Sequence, residues 1–135
     1  MSGGKRWTGI AAILLFGCSG REAKPVDIFP EDVCSNCRMA ISDAAFACEV
    51  VVTDGDALKF DSSVCLESYR KKHPDAAGTI FYADYETHAW LRANECVLVR
   101  TSIETPMGPG AIAVRTQERA DALLKQFPEN ERPTR

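Results

Sequence analysis

The chain has 135 residues, of which 45% are hydrophobic and 26% are charged, which suits one globular domain with its own core. Its formal net charge is −3 and it carries no basic cluster, so nucleic acid is excluded as a partner. Six cysteines are more than such a chain usually carries, so thiol chemistry requires an explanation.

The N-terminal residues have the pattern of a lipoprotein export signal. Two basic residues precede the apolar run 9–16, which is too short to serve comfortably as a permanent membrane span. Residues 15–18 (LFGC) resemble a lipobox, although Phe16 is larger than usual there. We therefore predict that residues 1–17 are a signal peptide and that Cys18 is lipidated. An uncleaved anchor is the alternative, and either one leaves the domain exported and tethered to a bacterial membrane, facing the periplasm.

Export affects the state of the thiols, because unprotected cysteines form disulfides in an oxidising compartment. Five cysteines remain after Cys18, so at least one thiol is left free or is held by a metal. Residues 18–29 are predicted as a lipid-anchored linker, residues 30–127 as the folded domain and residues 128–135 as a flexible tail.

Alternating β-branched residues, turn residues and helix caps predict the elements of the domain. Asp54-Gly55 indicates a hairpin turn between the first two strands. In chain order we predict strands at 46–52 and 57–60, a helix capped by Asp61 or Ser62 that ends near Lys72, a strand at 79–83, an extended segment at 87–91, strands at 95–100 and 111–114, and a last helix capped by Thr116. An offset of 54 residues superposes the second strand–strand–helix order on the first, which suggests a repeat.

Residues 34–39 (CSNCRM) place three sulfur side chains within six residues. A disulfide across this CxxC pair would stabilise the fold by only about 2 kcal/mol, so such a pair is more often a redox device. Redox pairs of the thioredoxin type precede a helix, and residues 39–43 do not predict one. A structural zinc site needs four ligands, and the sequence has no second pair at matching spacing. Cu(I) needs only two or three soft donors and accepts thioether sulfur.

Two methionines favour a Cu(I) site over a redox pair or a zinc site. Met39 completes the sulfur-rich stretch, and Met107 lies between Pro106 and Gly108 in a predicted hairpin loop that has no obvious core to fill. The plain alternative is that each methionine is a packing residue.

The remaining thiols and histidines have no motif around them. Cys48, Cys65 and Cys96 fall on predicted buried positions, where free cysteine acts as a small hydrophobic residue. A disulfide among the three, or a metal, is the alternative. His73 and His88 are predicted at the surface, although either could donate a nitrogen to copper.

Several motifs follow one another in a fixed order from about Pro30 to Phe127: Cys34-x-x-Cys37-x-Met39, Asp54-Gly55, Phe60-Asp61 at a helix start, residues 81–85 (FYADY), Trp90, and Pro106-Met107-Gly108. In this order they resemble the NosL family of copper-binding lipoproteins, which serve nitrous oxide reductase assembly. The sequence departs from that family at Arg38, where Gly is usual.

The resemblance implies an α+β fold of two ββαβ-type units in tandem, at residues 30–85 and 86–127, the second incomplete if no strand follows Phe127. It also implies a Cu(I)-binding metallochaperone rather than an enzyme. The implied ligands are Cys34, Met39 and Met107, with Cys37 as a further partner. Implied partners are a copper-receiving protein or membrane assembly complex, and a homodimer that shares the site is an open alternative. A lipid-anchored thiol–disulfide oxidoreductase using Cys34 and Cys37 is the alternative function.

Overall fold

The computed structural model describes residues 22–52 and 56–129. The predicted signal peptide, the lipidation site Cys18 and the Asp54-Gly55 turn lie outside these residues. In chain order the structure contains a short 3-10 helix (Ala44–Phe46), strands β1 (Cys48–Val51) and β2 (Ala57–Phe60), helix α1 (Ser63–Lys72), strands β3 (Thr79–Ala83), β4 (Trp90–Arg92), β5 (Val97–Arg100) and β6 (Ala111–Val114), and helix α2 (Gln117–Gln126).

The first four strands form an antiparallel sheet in the order β2-β1-β3-β4. Side chains alternate between the two faces of a sheet, so Cys48 points to the same face as its register partners Phe60 and Tyr82. Helix α1 contacts this sheet and adds Cys65 and Leu66 to the main core. The main core therefore lies between α1 and one face of the sheet.

The opposite face of the sheet is crossed by residues 22–29, which we call the N-terminal strap. Register pairs place Lys59, Glu49, Phe81 and Arg92 in one row across the four strands. Three side chains of this row bind the strap backbone in order: Arg92 Nη2 donates to Ala23 O (2.9 Å), Glu49 Oε1 accepts from Val26 N (2.7 Å), and Lys59 Nζ donates to Asp27 O (2.8 Å). Most of the described part of the predicted linker is thus attached to the domain.

Strands β5 and β6 form a separate antiparallel pair that packs with α2. Five buried residues form this second core: Val99, Ile112, Val114, Ala120 and Leu123. The two parts are joined where Tyr85 N, just after β3, donates to Ala113 O at 2.8 Å. They are joined again where Ser63 Oγ in α1 donates to Ala111 O at 2.6 Å.

The predicted α+β class is confirmed, with two helices and antiparallel sheets. The first strand starts two residues later than predicted, because the Asp43 carboxylate caps a 3-10 turn at Ala44–Phe46. The extended segment becomes β4, which pairs with β3 in the first sheet although it falls within the predicted second unit. The strand–strand–helix order occurs twice, and the tandem duplication stays a prediction. Among the described residues, no helix has the length and apolar character needed to cross a membrane.

Candidate metal centre

The sulfur-rich stretch folds into a tight loop that is fastened to the end of β2. Cys34 N donates to Met39 O at 2.8 Å, and Arg38 N donates to Cys34 O at 3.0 Å. Ser35 N donates to Lys59 O at 2.8 Å, which ties the loop to the last residues of β2. Residues 35–37 therefore form a turn, and this turn places both cysteines beside the start of α1.

Arg38 occupies a backbone conformation that favours glycine. Its φ angle is +66°, in the left-handed region where a Cβ atom is disfavoured by roughly 1–2 kcal/mol. This gives a physical reason why Gly would suit this position, where the sequence departs from the family that it resembles. The loop keeps this conformation because backbone hydrogen bonds hold it on both sides of Arg38.

Four side chains meet at this loop and form what we call the thiol–carboxylate cluster: Cys34, Cys37, Asp61 and Cys65. Their Sγ and carboxylate oxygen atoms all lie within 4.8 Å of one another, so together they could hold a metal ion. Cys37 Sγ donates to Asp61 Oδ2 at 3.2 Å. The cluster thus joins the predicted CxxC pair to two residues at the junction of β2 and α1.

The junction between β2 and α1 positions Asp61 and Cys65. Ser62 is the N-cap of α1; its Oγ accepts from Cys65 N at 3.4 Å and donates to Asp61 Oδ1 at 3.1 Å. Asn36 reaches across from the loop, and its Nδ2 donates to Cys65 Sγ at 3.5 Å. Lys72 Nζ in turn donates to Asn36 Oδ1 at 3.3 Å. The loop is therefore bound to both ends of α1.

Three of the four cluster residues are buried. Cys34, Cys65 and Asp61 are 0%, 1% and 3% exposed, whereas Cys37 is partly exposed. Burial raises the pKa of the Cys37 thiol and of the Cys65 thiol, and hydrogen bonding to Asp61 raises both further. These thiols therefore hold their protons at neutral pH, and a metal that binds them must displace protons. A raised pKa is the opposite of what an attacking thiolate in a redox enzyme requires.

The two predicted methionine ligands lie on exposed loops. Met39 belongs to the sulfur-rich loop itself and is 59% exposed. Met107 is 38% exposed, in the loop between β5 and β6. The far end of that loop returns to α1, where Gly110 packs against Val64 so closely that an added Cβ would lie 2.8 Å from its methyl carbon. Ligation of a metal by Met39 and Met107 stays a prediction.

A family model described as NosL matches residues 25–128, most of the chain. The chain belongs to the NosL family. Among solved structures, the copper chaperone NosL from Shewanella denitrificans is similar, with a TM-score of 0.68 and 17% sequence identity over 81% of this chain and 91% of that chain. Among curated proteins, no relative matches.

Membership of the NosL family confirms the predicted family and the prediction that the chain is not an enzyme. At 17% identity the solved structure supports the fold, and the α+β arrangement described above agrees with it. The thiol–carboxylate cluster therefore belongs to a NosL domain whose first sheet and first helix hold three cysteines together.

The other thiols of this NosL chain lie outside the cluster. Cys48 is buried in the main core, where burial raises its pKa well above the ordinary value. Cys96 is half-buried, with Sγ 3.7 Å from Ala93 O. The five cysteines of the described residues are all free thiols. His73 and His88 are exposed, as predicted.

Asp61 and Cys65 are the two members of the cluster that were not among the predicted metal ligands. We predicted Asp61 only as a helix cap, and we predicted Cys65 mainly as a core residue with a metal as one alternative. Asp61 precedes the N-cap Ser62 and Cys65 follows it by three residues, so a spacing of four residues places both at the start of α1. That spacing is common, however, and it becomes informative only once the CxxC loop is seen to pack against it.

Proposed function

We propose that this protein is an exported, lipid-anchored Cu(I) metallochaperone of the NosL family. The convergence of three thiols at one place in the fold carries the proposal, since soft thiolates select Cu(I) over most biological cations. Family membership and the similarity to a protein described as a copper chaperone support it. In this proposal the copper ion is the cargo of the protein.

The cysteines provide the strong donors and the methionines the exposed ones. Cys34 and Cys65 are buried and Cys37 is partly exposed, so a bound ion is approached from the Cys37 side. Met39 and Met107 are exposed thioethers, whose weaker donation suits an ion that must leave again. An incomplete ligand shell lets the recipient's ligand bind before a donor ligand departs.

The copper recipient is proposed from the family. We assign it as the machinery that builds the copper centre of nitrous oxide reductase. The direct partner is then either a copper-receiving protein or a membrane assembly complex. Lipidation of Cys18 would hold the chaperone at a bacterial membrane, facing the periplasm. Between such an anchor and the sulfur-rich loop, the strap would carry the chain across the sheet, held by Arg92 and Glu49.

The proposal is tested by Cu(I) titration of the reduced full chain carrying Cys18→Ser, in competition with a Cu(I) chelator. Replacing Cys34 or Cys65 by Ser should lower the affinity by more than about a hundredfold, because a thiolate ligand is lost. Cys96→Ser is the matched control, since this thiol lies outside the cluster, and it should leave the affinity unchanged. Equal affinities in all three variants would contradict a thiol site.

The methionine ligands require their own variant. We expect the Met39→Ala, Met107→Ala double variant to lose at least about tenfold in affinity, a loss comparable to that from altering a metal's supporting shell. Unchanged affinity in this variant would remove the methionines from the site and leave the thiols. The copper-to-chain ratio at saturation distinguishes a site within one chain from one shared by a homodimer.

A further inference from the structure

The strap lies on a buried face of the first sheet but is not a strand of that sheet. Glu49, Val51 and Phe81 point to this face and are 0%, 3% and 3% exposed. The hydrogen bonds described above hold residues 22–27 there, whereas Ile28 packs against the main core. Because side-chain hydrogen bonds rather than strand pairing hold residues 22–27, this segment opens at a lower free energy than the strands beneath it.

Glu49 lies at the middle of this contact, and one of its oxygens lacks a hydrogen-bond partner. Oε1 accepts from Val26 N at 2.7 Å, whereas Oε2 has no partner among residues 22–52 and 56–129. A protonated carboxyl keeps this buried position neutral, but an ionised one places a charge on an oxygen that the fold does not solvate. The docked strap therefore favours the protonated form of Glu49, and ionisation favours hydration of the carboxylate.

The cation on the neighbouring strand is already engaged by other groups. Lys59 is the register partner of Glu49 on β2, and its Nζ donates to Asp27 O and forms an ion pair with the Asp32 carboxylate. Burial raises the pKa of Glu49 to about 7, against the effects of Val26 N and Lys59 and with the repulsion of Asp27 and Asp32. The charges on this side of Glu49 therefore leave its ionised form poorly stabilised.

The remaining charged groups of the strap lie towards β4. Arg92 forms an ion pair with Glu22 at 2.9 Å, and its guanidinium carbon lies 5.2 Å from the centroid of the Phe81 ring. Lys24 is exposed to solvent. These groups fasten the start of the strap, whereas Glu49 is the buried titratable group beneath its middle.

We propose that the strap is a proton-controlled latch: residues 22–27 lie on the sheet while Glu49 carries a proton and leave the sheet when Glu49 ionises. On release the proton passes to solvent, and water hydrates both carboxylate oxygens. Because the docked form holds the proton more tightly, docking weakens as the pH rises from about 4.5 to about 7 and levels off above that range.

The latch sets how far the domain lies from a lipid anchor, a consequence that rests on the proposed lipidation of Cys18. With the strap docked, the chain from Cys18 to Glu22 reaches at most about 14 Å, and it ends at the β4 edge, where Arg92 binds Ala23. The sulfur-rich loop is fastened to β2, at the other edge of the sheet, about 14 Å away across three strand spacings. With residues 22–27 released, the chain from Cys18 to Ile28 reaches at most about 36 Å.

Nuclear magnetic resonance of the ¹⁵N-labelled full chain carrying Cys18→Ser tests the latch without a membrane. The amide shifts and heteronuclear NOEs of residues 23–27 should report a docking equilibrium that weakens about 70-fold between pH 5 and pH 8. Glu49→Gln resembles the protonated form, so its docking equilibrium should change less than about threefold over this range. Glu67→Gln is the control, because Glu67 is exposed on α1, and it should keep the full pH dependence.

The titration of the unmutated Glu49 carboxyl provides a measurement that does not depend on the folding of a variant. Its ¹³C shift should change over the same pH range as the NOEs of residues 23–27. Titration of Glu49 with the strap equally ordered at pH 5 and pH 8 would overturn the latch. Loss of strap order that persists in Glu49→Gln would overturn it as well.

The reach of the tether is measured with the lipidated chain on phosphatidylcholine vesicles that contain a dansyl-labelled lipid. Trp90 is the only tryptophan after residue 17, and it lies on β4 close to the docked start of the strap. Energy transfer from Trp90 to the dansyl group should fall at least about twofold from pH 5 to pH 8, because the reach increases. Glu49→Gln should keep the high transfer at both pH values.

The two experiments separate the latch from the proposed function. Equal energy transfer at pH 5 and pH 8, in a chain whose strap loses order over that range, would overturn the change in reach. A chain that shows the strap transition in solution but carries no lipid and does not bind vesicles would overturn the proposed anchor and support the latch.

Discussion

Glu49 is a buried carboxyl whose burial makes the stability of the fold depend on pH. Its side chain is fully buried beneath the strap; Oε1 accepts from Val26 N, and Oε2 has no hydrogen-bond partner among the described residues. Burial raises the pKa of this carboxyl from an ordinary 4.5 to about 7, against the attraction of Lys59 and with the repulsion of Asp27 and Asp32. The folded chain therefore holds this proton more tightly than the unfolded chain.

Because the folded pKa is the higher one, the free energy of unfolding should fall as the pH rises from about 4.5 to about 7. The loss should level off above that range, at no more than about 3.4 kcal/mol. Glu49→Gln should remove most of this slope in urea denaturation between pH 5 and pH 8. Glu67→Gln, on the exposed side of α1, should keep it. A slope that survives in Glu49→Gln would show that a group other than this carboxyl causes the pH dependence of stability.

At the scale of single elements, the two helices are built alike but only one of them carries the site. Ser62 caps α1 and Thr116 caps α2, each by accepting a backbone N–H three residues ahead. Ser62 also donates to Asp61, so this cap orients two members of the thiol–carboxylate cluster.

The two caps therefore form a matched pair of variants. Ser62→Ala and Thr116→Ala should each lower the free energy of unfolding by about 1 kcal/mol, measured in urea. Ser62→Ala alone should lower Cu(I) affinity, by about tenfold, because the partners of a metal ligand are lost. Equal Cu(I) affinity in the two variants would mean that the first turn of α1 does not position the cluster.

At the scale of the whole molecule, the domain has two cores, and the cluster borders only one of them. Cys34, Cys65 and Leu66 belong to the main core, whereas Leu123 belongs to the second core under α2. The cores meet along β6, where Ala113 belongs to the main core and accepts a hydrogen bond from Tyr85 N. We expect damage in the second core to reach the cluster weakly, because the second core contains none of the four cluster residues.

Leucine truncations in the two cores test this separation. Leu66→Ala and Leu123→Ala each remove a buried side chain and should cost about 2–5 kcal/mol of unfolding free energy. Only Leu66→Ala should weaken Cu(I) binding in the chelator competition, because Leu66 packs in the core that supports Cys34 and Cys65. A comparable loss of affinity in Leu123→Ala would show that the two cores act as one unit.

What could be read from the sequence alone is what depends on near neighbours in the chain. Strands β2, β3 and β6 occur where alternation of apolar residues predicted them, and both helices begin after the predicted caps. The CxxC motif and Met39 lie in one loop because residues 34–39 are consecutive in the chain. These features follow from local backbone geometry and hydrogen bonding, which a short stretch of sequence determines.

What only the tertiary structure decided is what joins distant parts of the chain. Asp61 and Cys65 lie beside the CxxC pair because Ser35 N donates a hydrogen bond to Lys59 O at the end of β2. The strap contacts Glu49 through a hydrogen bond from Val26 N, although the two residues are 23 positions apart in the chain. Strand β4 joins β3 rather than the later strands, for reasons of sheet pairing that no local pattern expresses. A metal centre needs donors that converge in space, and that convergence depends on how β2, α1 and the sulfur-rich loop pack together.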